Sequence, residues 1–159
     1  MGGDSAPHGV ARLAGVFLGV SLDGEGCVAR IRISLRLPTA ASGPADRQVH
    51  DVVRCLEAWE RDPLAPARLP RAPAASPFQA RLREALLALE PGQTVSYGEL
   101  ARHLGTSPRA VGAGCRANPL PLLVPCHRVV GSRGAGGYAG TAGGSLTRFK
   151  AWLLAQEQR

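Results

Sequence analysis

The stretch SYGELARHLGTSPRAVGAGCRANP, residues 96–119, decides the architecture of the second half of the chain. Ser96 followed by Glu99 is a capping box, which opens a helix that continues through Leu104. Gly105 is placed to close it in the left-handed conformation that glycine adopts without strain. Ser107-Pro108 then supplies an N-cap and a first-turn proline for another helix, which runs to about Ala117 before Asn118-Pro119 ends it. Two short helices about a tight glycine turn form a helix-turn-helix pattern. Such turns also join helices in proteins that bind no nucleic acid. The second helix, however, has Arg109 at its start, Arg116 at its end, and Ala110, Gly112, Ala113 and Gly114 between them. A glycine inside a helix costs up to about 1 kcal/mol relative to alanine. Two in one short helix point to a close approach to its backbone, by another helix or by a nucleic-acid groove.

Working outward, Ser76-Pro77 opens a preceding helix with Phe78, Leu82, Leu86 and Leu89 at helical spacing, until Pro91-Gly92 stops it. Residues 62–77 contain five prolines and little apolar periodicity, the composition of a linker between lobes. Nearer the N-terminus, Ala29, Ile31, Ile33, Leu35 and Leu37 alternate with Arg30, Arg32, Ser34 and Arg36, the period of a half-buried strand. Val16 to Leu22 followed by Asp23-Gly24-Glu25-Gly26 reads as its hairpin partner and turn. Val49, Val52, Val53, Leu56 and Trp59 then recur at helical spacing behind Pro44, giving a helix that covers one sheet face. The expected class is α+β. Residues 1–75 form a small antiparallel sheet lobe with a helix, plus the linker, and residues 76–159 form a mostly helical lobe.

A chain of 159 residues and 16.6 kDa holds one ordinary domain or two small lobes, which excludes a large multi-domain machine. Nineteen basic residues against twelve acidic ones leave +7. Eighteen of the nineteen are Arg, with Lys150 the only lysine, a choice that suits forked contacts with phosphate. Residues 1–75 carry nine Arg against eight acids (+1), and residues 76–159 carry nine Arg and Lys150 against four acids (+6). A polyanion is therefore expected at the C-terminal half. Compositional bias and simple solubility would give the same totals. Cys27, Cys55, Cys115 and Cys126 include no C-x-x-C pair, no secretory signal is evident, and no apolar run nears the roughly 20 residues that span a bilayer. The expectation is a soluble, cytoplasmic protein with reduced thiols and no membrane contact. His8, Cys27, His50 and Cys55 have no recognised zinc spacing, so no metal and no cofactor are expected.

Leu120 to Val124 is an apolar stretch that runs directly into Pro125-Cys126-His127-Arg128-Val129-Val130. It presents a thiol at the end of a buried segment beside an imidazole and a guanidinium. Cationic neighbours lower a thiol pKa and increase the nucleophilic thiolate. The plainer reading makes Cys126 a small buried hydrophobe and His127 an ordinary strand residue. The flanking Pro, His and Arg favour the reactive reading.

Residues 76–159 resemble the methylated-DNA–protein-cysteine methyltransferases, which repair DNA by removing alkyl groups from O6 of guanine. The resemblance rests on Pro125-Cys126-His127-Arg128-Val129, Asn118-Pro119, Arg109-Ala110-Val111-Gly112, Ser96-Tyr97-Gly98-Glu99-Leu100, Pro77-Phe78-Gln79 and the ending Trp152-Leu153-Leu154 with Glu157. It implies a ribonuclease H-like N-terminal lobe and a winged helix-turn-helix C-terminal lobe that carries the acceptor cysteine. It further implies a self-inactivating transferase, in which Cys126 takes the alkyl group, His127 takes the thiol proton through a water, and Glu157 orients the imidazole. Asn118 would tie the cysteine-bearing turn to the helix pair, and Tyr97 would assist departure of the guanine. Arg109 would enter the base stack while Ala110, Gly112, Ala113, Cys115, Arg116 and Arg128 meet the DNA. Val129, Tyr138 and Ala139, with Tyr97, would line the pocket for the flipped base. The implied partner is double-stranded DNA containing O6-alkylguanine, and by extension O4-alkylthymine, bound in the minor groove by a monomer or by several copies along the DNA.

The sequence departs from the family in a shorter turn between the two helices, in Arg83 where Trp is frequent, and in a longer Gly-rich segment over Gly140 to Ser145. Cys115 is expected to be a packing residue and not a second acceptor. Three rival readings remain: a recognition protein that recruits other repair factors without transferring anything, a cysteine hydrolase using Cys126 and His127, and a zinc-dependent or thiol-sensing regulator. The presence of Cys126 opposes the first. Adjacent residues of an extended segment point to opposite sides, which opposes the second.

Overall fold

The arginine-alternating stretch becomes strand β3 (Val28–Ser34), with Val28 and Ile31 buried and Arg30 and Arg32 exposed. It pairs antiparallel with β2 (Val16–Leu22) across the expected turn. Asp23 Oδ1 holds that turn by accepting from the backbone N–H of Glu25 and of Cys27, each at 2.9 Å. Strand β3 ends three residues short of Leu37, because its ladder ends where Ser34 meets Phe17 near the start of β2. Leu35 and Leu37 are accordingly exposed. A further strand, β1 (Gly9–Leu13), pairs with the other edge of β2 to give the order β1-β2-β3. Ala14 and Gly15 connect them with φ of 49° and 82°, the twist that two-residue hairpins require. Ala-Gly is a poor advertisement for such a turn, and the sequence reading missed the strand.

Asp46 caps helix α1 (Arg47–Glu57) by accepting from the N–H of Gln48 at 3.0 Å. The helix buries Val49, Val52 and Leu56 against the sheet. A Cβ at Gly9 would run into the Val49 side chain, so α1 lies directly on β1. The proline-rich stretch is not a free linker. It makes a 3-10 turn over Ala65–Arg68 and returns to the sheet, where the Val28 N–H donates to Pro70 O at 2.8 Å and the Ala72 N–H donates to Val28 O at 2.9 Å. Pro70 contributes only its carbonyl here, so its missing N–H costs nothing.

The computed structural model describes residues 5–39, 46–132 and 144–159. It divides into two units, Met1–Ala72 and Pro73–Arg159, within the α+β class expected from the sequence. Pro44, Arg133, Tyr138, Ala139 and residues 140–143 fall outside the described residues.

In the second unit, Ser76 caps α2 (Pro77–Leu87). The Ser96–Glu99 capping box opens α3 (Tyr97–Leu104), and Gly105 closes it at φ 66°. Ser107 caps α4 (Pro108–Arg116), and α5 (Ser145–Glu157) ends the chain. Between them β4 (Val95–Ser96) and β5 (Val129–Val130) form a two-residue parallel ladder. Arg81 on α2 donates to Leu104 O at 2.6 Å, satisfying a carbonyl at the end of α3. The glycines of α4 have different causes. A Cβ on Gly114 would lie 2.6 Å from Leu82 Cδ2 and 3.0 Å from Phe78 Cε1, so α2 and α4 pack there in near backbone contact. A Cβ on Gly112 would meet nothing within 4 Å.

That contrast predicts opposite stability effects. Gly114→Ala should destabilise the second unit by about 1–3 kcal/mol through overpacking. Gly112→Ala should stabilise it by about 0.5–1 kcal/mol. Urea unfolding of the two variants checks both signs.

Candidate active site

The cysteine sits at the end of a loop that its own polar groups hold tightly. After α4, Asn118 Oδ1 accepts from the Leu120 N–H and Asn118 Nδ2 donates to Val124 O, both at 3.1 Å. Val124 N–H donates to Leu120 O at 2.9 Å, and the Cys126 N–H returns to Val124 O at 2.8 Å. Within this turn Leu122 is buried at φ 74°, a left-handed conformation unusual for a branched side chain. The strain persists because the Asn118 bonds on both sides fix the turn.

Cys126–Arg128 then form a 3-10 turn, not the extended segment expected. Cys126, His127 and Arg128 are all buried. At about three residues per turn, successive side chains still diverge. His127 points its Nε2 at Glu157 Oε1, 2.7 Å away. Arg128 forks the same carboxylate, with Nε 3.1 Å from each oxygen and Nη2 2.8 Å from Oε1, and its Nη1 donates to Leu89 O at 2.8 Å. Gly92 N–H adds a donor to Glu157 Oε2 at 3.3 Å, and Gln158 Nε2 donates to Gly92 O at 3.0 Å. The Pro91-Gly92 helix stop thus also secures the end of α5.

This arrangement corrects two expectations. Arg128 was expected to meet DNA and to polarise the thiol, but it is enclosed and engaged with Glu157 and Leu89. The thiol is not brought low either. Burial pushes the Cys126 pKa up, and the opposing effects of the Asn118 hydrogen bond, the Lys150 charge and a backbone hydrogen bond do not overcome it. Burial would also raise Glu157, but hydrogen bonds from His127 and Arg128 and their charges bring it down to about 2. Burial, with the charges of Arg128 and Lys150, lowers His127 despite the pull of Glu157. Neutral His127 therefore donates from Nε2 to an ionised Glu157, which leaves the basic lone pair on Nδ1.

The β4–β5 ladder places Tyr97, the residue after Ser96, beside this turn. Burial pushes the Tyr97 phenol up, reinforced by Cys115 and Cys126, so it stays protonated as a donor. Lys150, which sequence reasoning passed over except as the sole lysine, completes the cluster. It is almost fully buried, its Nζ donates to Val129 O at 2.7 Å, and it lies 5.8 Å from the centre of the Tyr97 ring. Its signal was its spacing, because Lys150, Leu153 and Glu157 share one face of α5. Val129 is buried. On α4, Arg109, Ala113 and Arg116 are exposed and Ala110, Gly112 and Cys115 half-buried. Positions 109, 112, 113 and 116 fall on one helix face. Burial first, then Cys126, pushes Cys115 up to about 12, which keeps it an unreactive thiol. Among the described residues no group of His, Cys, Asp and Glu gathers as metal ligands.

A family model described as the DNA-binding domain of 6-O-methylguanine DNA methyltransferase matches residues 77–159. The chain belongs to this family. Among curated members it is 48% identical over 64 residues to the methylated-DNA–protein-cysteine methyltransferase of Methanocaldococcus vulcanius, covering 40% of each chain. It is 40% identical over 88 residues to the Archaeoglobus fulgidus protein of that name, covering 55% of this chain and 60% of the other. A Thermus thermophilus protein named DNA base-flipping protein is 51% identical over 80 residues, 50% of this chain and 51% of that one. The matches thus span about half the length of these relatives. The solved O6-methylguanine methyltransferase of Mycobacterium tuberculosis superposes with a TM-score of 0.69 at 26% identity, over 94% of this chain and 90% of that one. Its complex with DNA gives 0.62 at 28% identity, over 89% and 87%.

The buried charges set the acid stability of the second unit. His127 is held below its usual range, so its contribution is present above about pH 6.5 and declines as the pH falls, because the unfolded chain takes the proton first. Glu157, depressed to about 2, contributes above its ordinary range near 4.5 and loses that contribution as the pH falls towards 2. Urea midpoints of the wild type should fall in both windows. Glu157→Gln should be less stable at pH 7 and lack the lower window.

Proposed function

We propose that this chain repairs duplex DNA by moving the alkyl group of O6-alkylguanine, and of O4-alkylthymine, once and irreversibly to its own Cys126. The observation that carries this reading is the burial of Cys126 next in the chain to a His127 held by Glu157, with a protonated Tyr97 nearby, inside the part of the chain that matches the family model. Cys126 is only 8% exposed, so a base within a duplex cannot reach it. The lesion must be rotated out of the stack, at a cost of a few kcal/mol, and inserted. The exposed Arg109–Gly112–Ala113–Arg116 face of α4 suits that task. Arg109 enters the stack, and the small residues let the helix backbone lie close in the minor groove.

In the reaction, Sγ forms a bond to the alkyl carbon while the carbon–O6 bond breaks and its electron pair leaves with the guanine. The thiol proton passes through a water to His127 Nδ1, and Glu157 stabilises the imidazolium that results. The Tyr97 hydroxyl donates to the guanine as negative charge develops on it. Val129, with Tyr138 and Ala139, lines the base pocket, and Asn118 holds the acceptor turn. The product is a thioether, so the protein acts once.

On this reading the helix pair with the β4–β5 ladder is a winged helix-turn-helix, and residues 76–159 are the DNA-binding and transfer domain. The antiparallel sheet and α1 in residues 1–75 form a ribonuclease H-like support lobe. The protein works as a cytoplasmic monomer, and among the described residues no helix is long and apolar enough to cross a membrane.

Incubation with duplex DNA containing O6-methylguanine should leave one methyl group on the peptide holding Cys126, measured by mass spectrometry, and none in Cys126→Ser. Intact lesion after stoichiometric incubation would instead support recognition without transfer. Arg109→Ala should slow transfer from duplex far more than transfer from the free base. Equal slowing removes Arg109 from base extrusion.

A further inference from the structure

Helix α2 holds both helices of the pair, and it does so from the two sides of a single apolar stripe. Phe78 and Leu82 stand one turn apart and press on Gly114 of α4, where a Cβ would lie 3.0 Å from Phe78 Cε1 and 2.6 Å from Leu82 Cδ2. With 3.6 residues per turn, Gln79 and Arg81 project about 80° to either side of that stripe. Gln79 Nε2 donates to Gly114 O at 3.1 Å, and Arg81 Nη2 donates to Leu104 O at 2.6 Å. Both acceptors belong to the last turn of a helix, where carbonyls lack a regular intrahelical donor. The turn from which these side chains depart is itself fixed, because Ser76 Oγ accepts from the Gln79 N–H at 3.1 Å.

The two bonds control the two ends of α4. Only Gly105, Thr106 and Ser107 separate Leu104 from Pro108, and the N–H groups of Gly105 and Thr106 return to Arg102 O at 3.3 Å and Ala101 O at 2.9 Å. A turn this short and this bonded absorbs little movement. The hold on Leu104 O is therefore a hold on the first turn of α4, where Arg109 stands. At the other end, Cys115 O, the carbonyl next to Gly114 O, accepts from the Asn118 N–H at 3.2 Å, and Asn118 carries the acceptor turn. The Arg81 bond is the stronger of the two, because a cation donates it and its charge lies at the negative end of the α3 dipole. None of the groups assigned to the base, the thiol or the groove face lies on α2.

We propose that Arg81, supported by Gln79, is a positioning residue for base extrusion: through Leu104 O it fixes the angle at which α4 presents Arg109, relative to an acceptor turn that Gln79 fixes at the far end of the same helix. The inference rests on the reading that Arg109 enters the base stack, and it assigns the accuracy of that entry to a helix that meets neither base nor thiol.

The test uses the full-length chain with Arg81→Met, which keeps the stem and loses the donors, and Arg81→Lys, which keeps a cation and a donor. Arg81→Met should slow transfer from an O6-methylguanine duplex by about tenfold, with transfer from the free O6-methylguanine base changed less than about twofold. Arg81→Lys should recover most of the duplex rate, and Gln79→Leu should show the same pattern at about threefold. In an Arg109→Ala background, Arg81→Met should add less than about twofold on the duplex, because it acts through Arg109. Equal slowing of duplex and free base, or full additivity with Arg109→Ala, overturns the proposal and leaves Arg81 as a support of the fold. So does a drop of about 0.9 in the slope of log K against log salt for undamaged duplex, which makes Arg81 a direct phosphate contact. In Cys126→Ser protein, which has no acceptor thiol, Arg81→Met should lower the preference for lesion over undamaged duplex by about tenfold, and an unchanged preference overturns the proposal. If the wild type transfers nothing, loss of that preference with Arg81→Met overturns the transferase reading alone. A wild type with neither transfer nor preference overturns both.

Discussion

The Glu157 carboxylate is the point on which the second unit depends. It is buried at the last turn of α5, and three segments of the chain reach it: the acceptor turn through His127 and Arg128, the loop after α2 through Gly92, and α5 itself. A carboxylate out of water is tolerable only when its oxygens are satisfied and its charge balanced. Here the guanidinium supplies permanent charge, so the histidine need not. Burial keeps the imidazole neutral, and the charges of Arg128 and Lys150 add to it against the pull of the carboxylate that orients the ring.

A second constraint is geometric. The backbone between Asn118 and Cys126 must carry the thiol from the end of α4 to the side of Tyr97, and it does so through a left-handed Leu122 that an unconstrained chain would avoid. Asn118 bonds to Leu120 and Val124, and Val124 O also takes the Cys126 N–H, so helix and thiol share one short hydrogen-bonded path. The β4–β5 ladder closes the circuit from the other side, because a strand of two residues is enough to fix Tyr97 against the turn. Rigidity is concentrated where a displacement of about 1 Å would matter most.

Much of this was legible in the sequence because the informative residues act locally. Ser76, Ser96, Gly105 and Ser107 define helix ends through their own backbones, and the Val28–Ser34 alternation defines a strand, so both were read to within a few residues. The failures share a cause, which is that distant parts of the chain decide them. β1 depends on a turn without the usual residues, the proline stretch is captured by Val28, and the two-residue ladders have no periodicity to detect. Arg128 misled for the same reason. Beside a reactive cysteine it reads as a cation for thiol or phosphate, and only the arrival of Glu157 from 29 residues away shows where its charge is spent. Lys150 is the converse, since its neighbours Tyr97 and Val129 are assembled only by the fold.

The raised thiol is the most instructive of these reversals. A catalyst that turns over benefits from a standing thiolate, but an acceptor that reacts once is lost to any oxidant or electrophile that reaches it first. Both hazards follow thiolate fraction and exposure. Burial that keeps Cys126 protonated protects it until use. On the function proposed above, activation is left to groups already in position: His127 to take the proton, Lys150 and Asn118 to favour the anion, and Tyr97 to meet the charge on the leaving base. These act together only when a base fills the site and excludes water, because the low dielectric that suppresses ionisation at rest also strengthens each of those interactions. On that proposal the same burial serves both the protonated resting thiol and its reaction with a base delivered into the pocket.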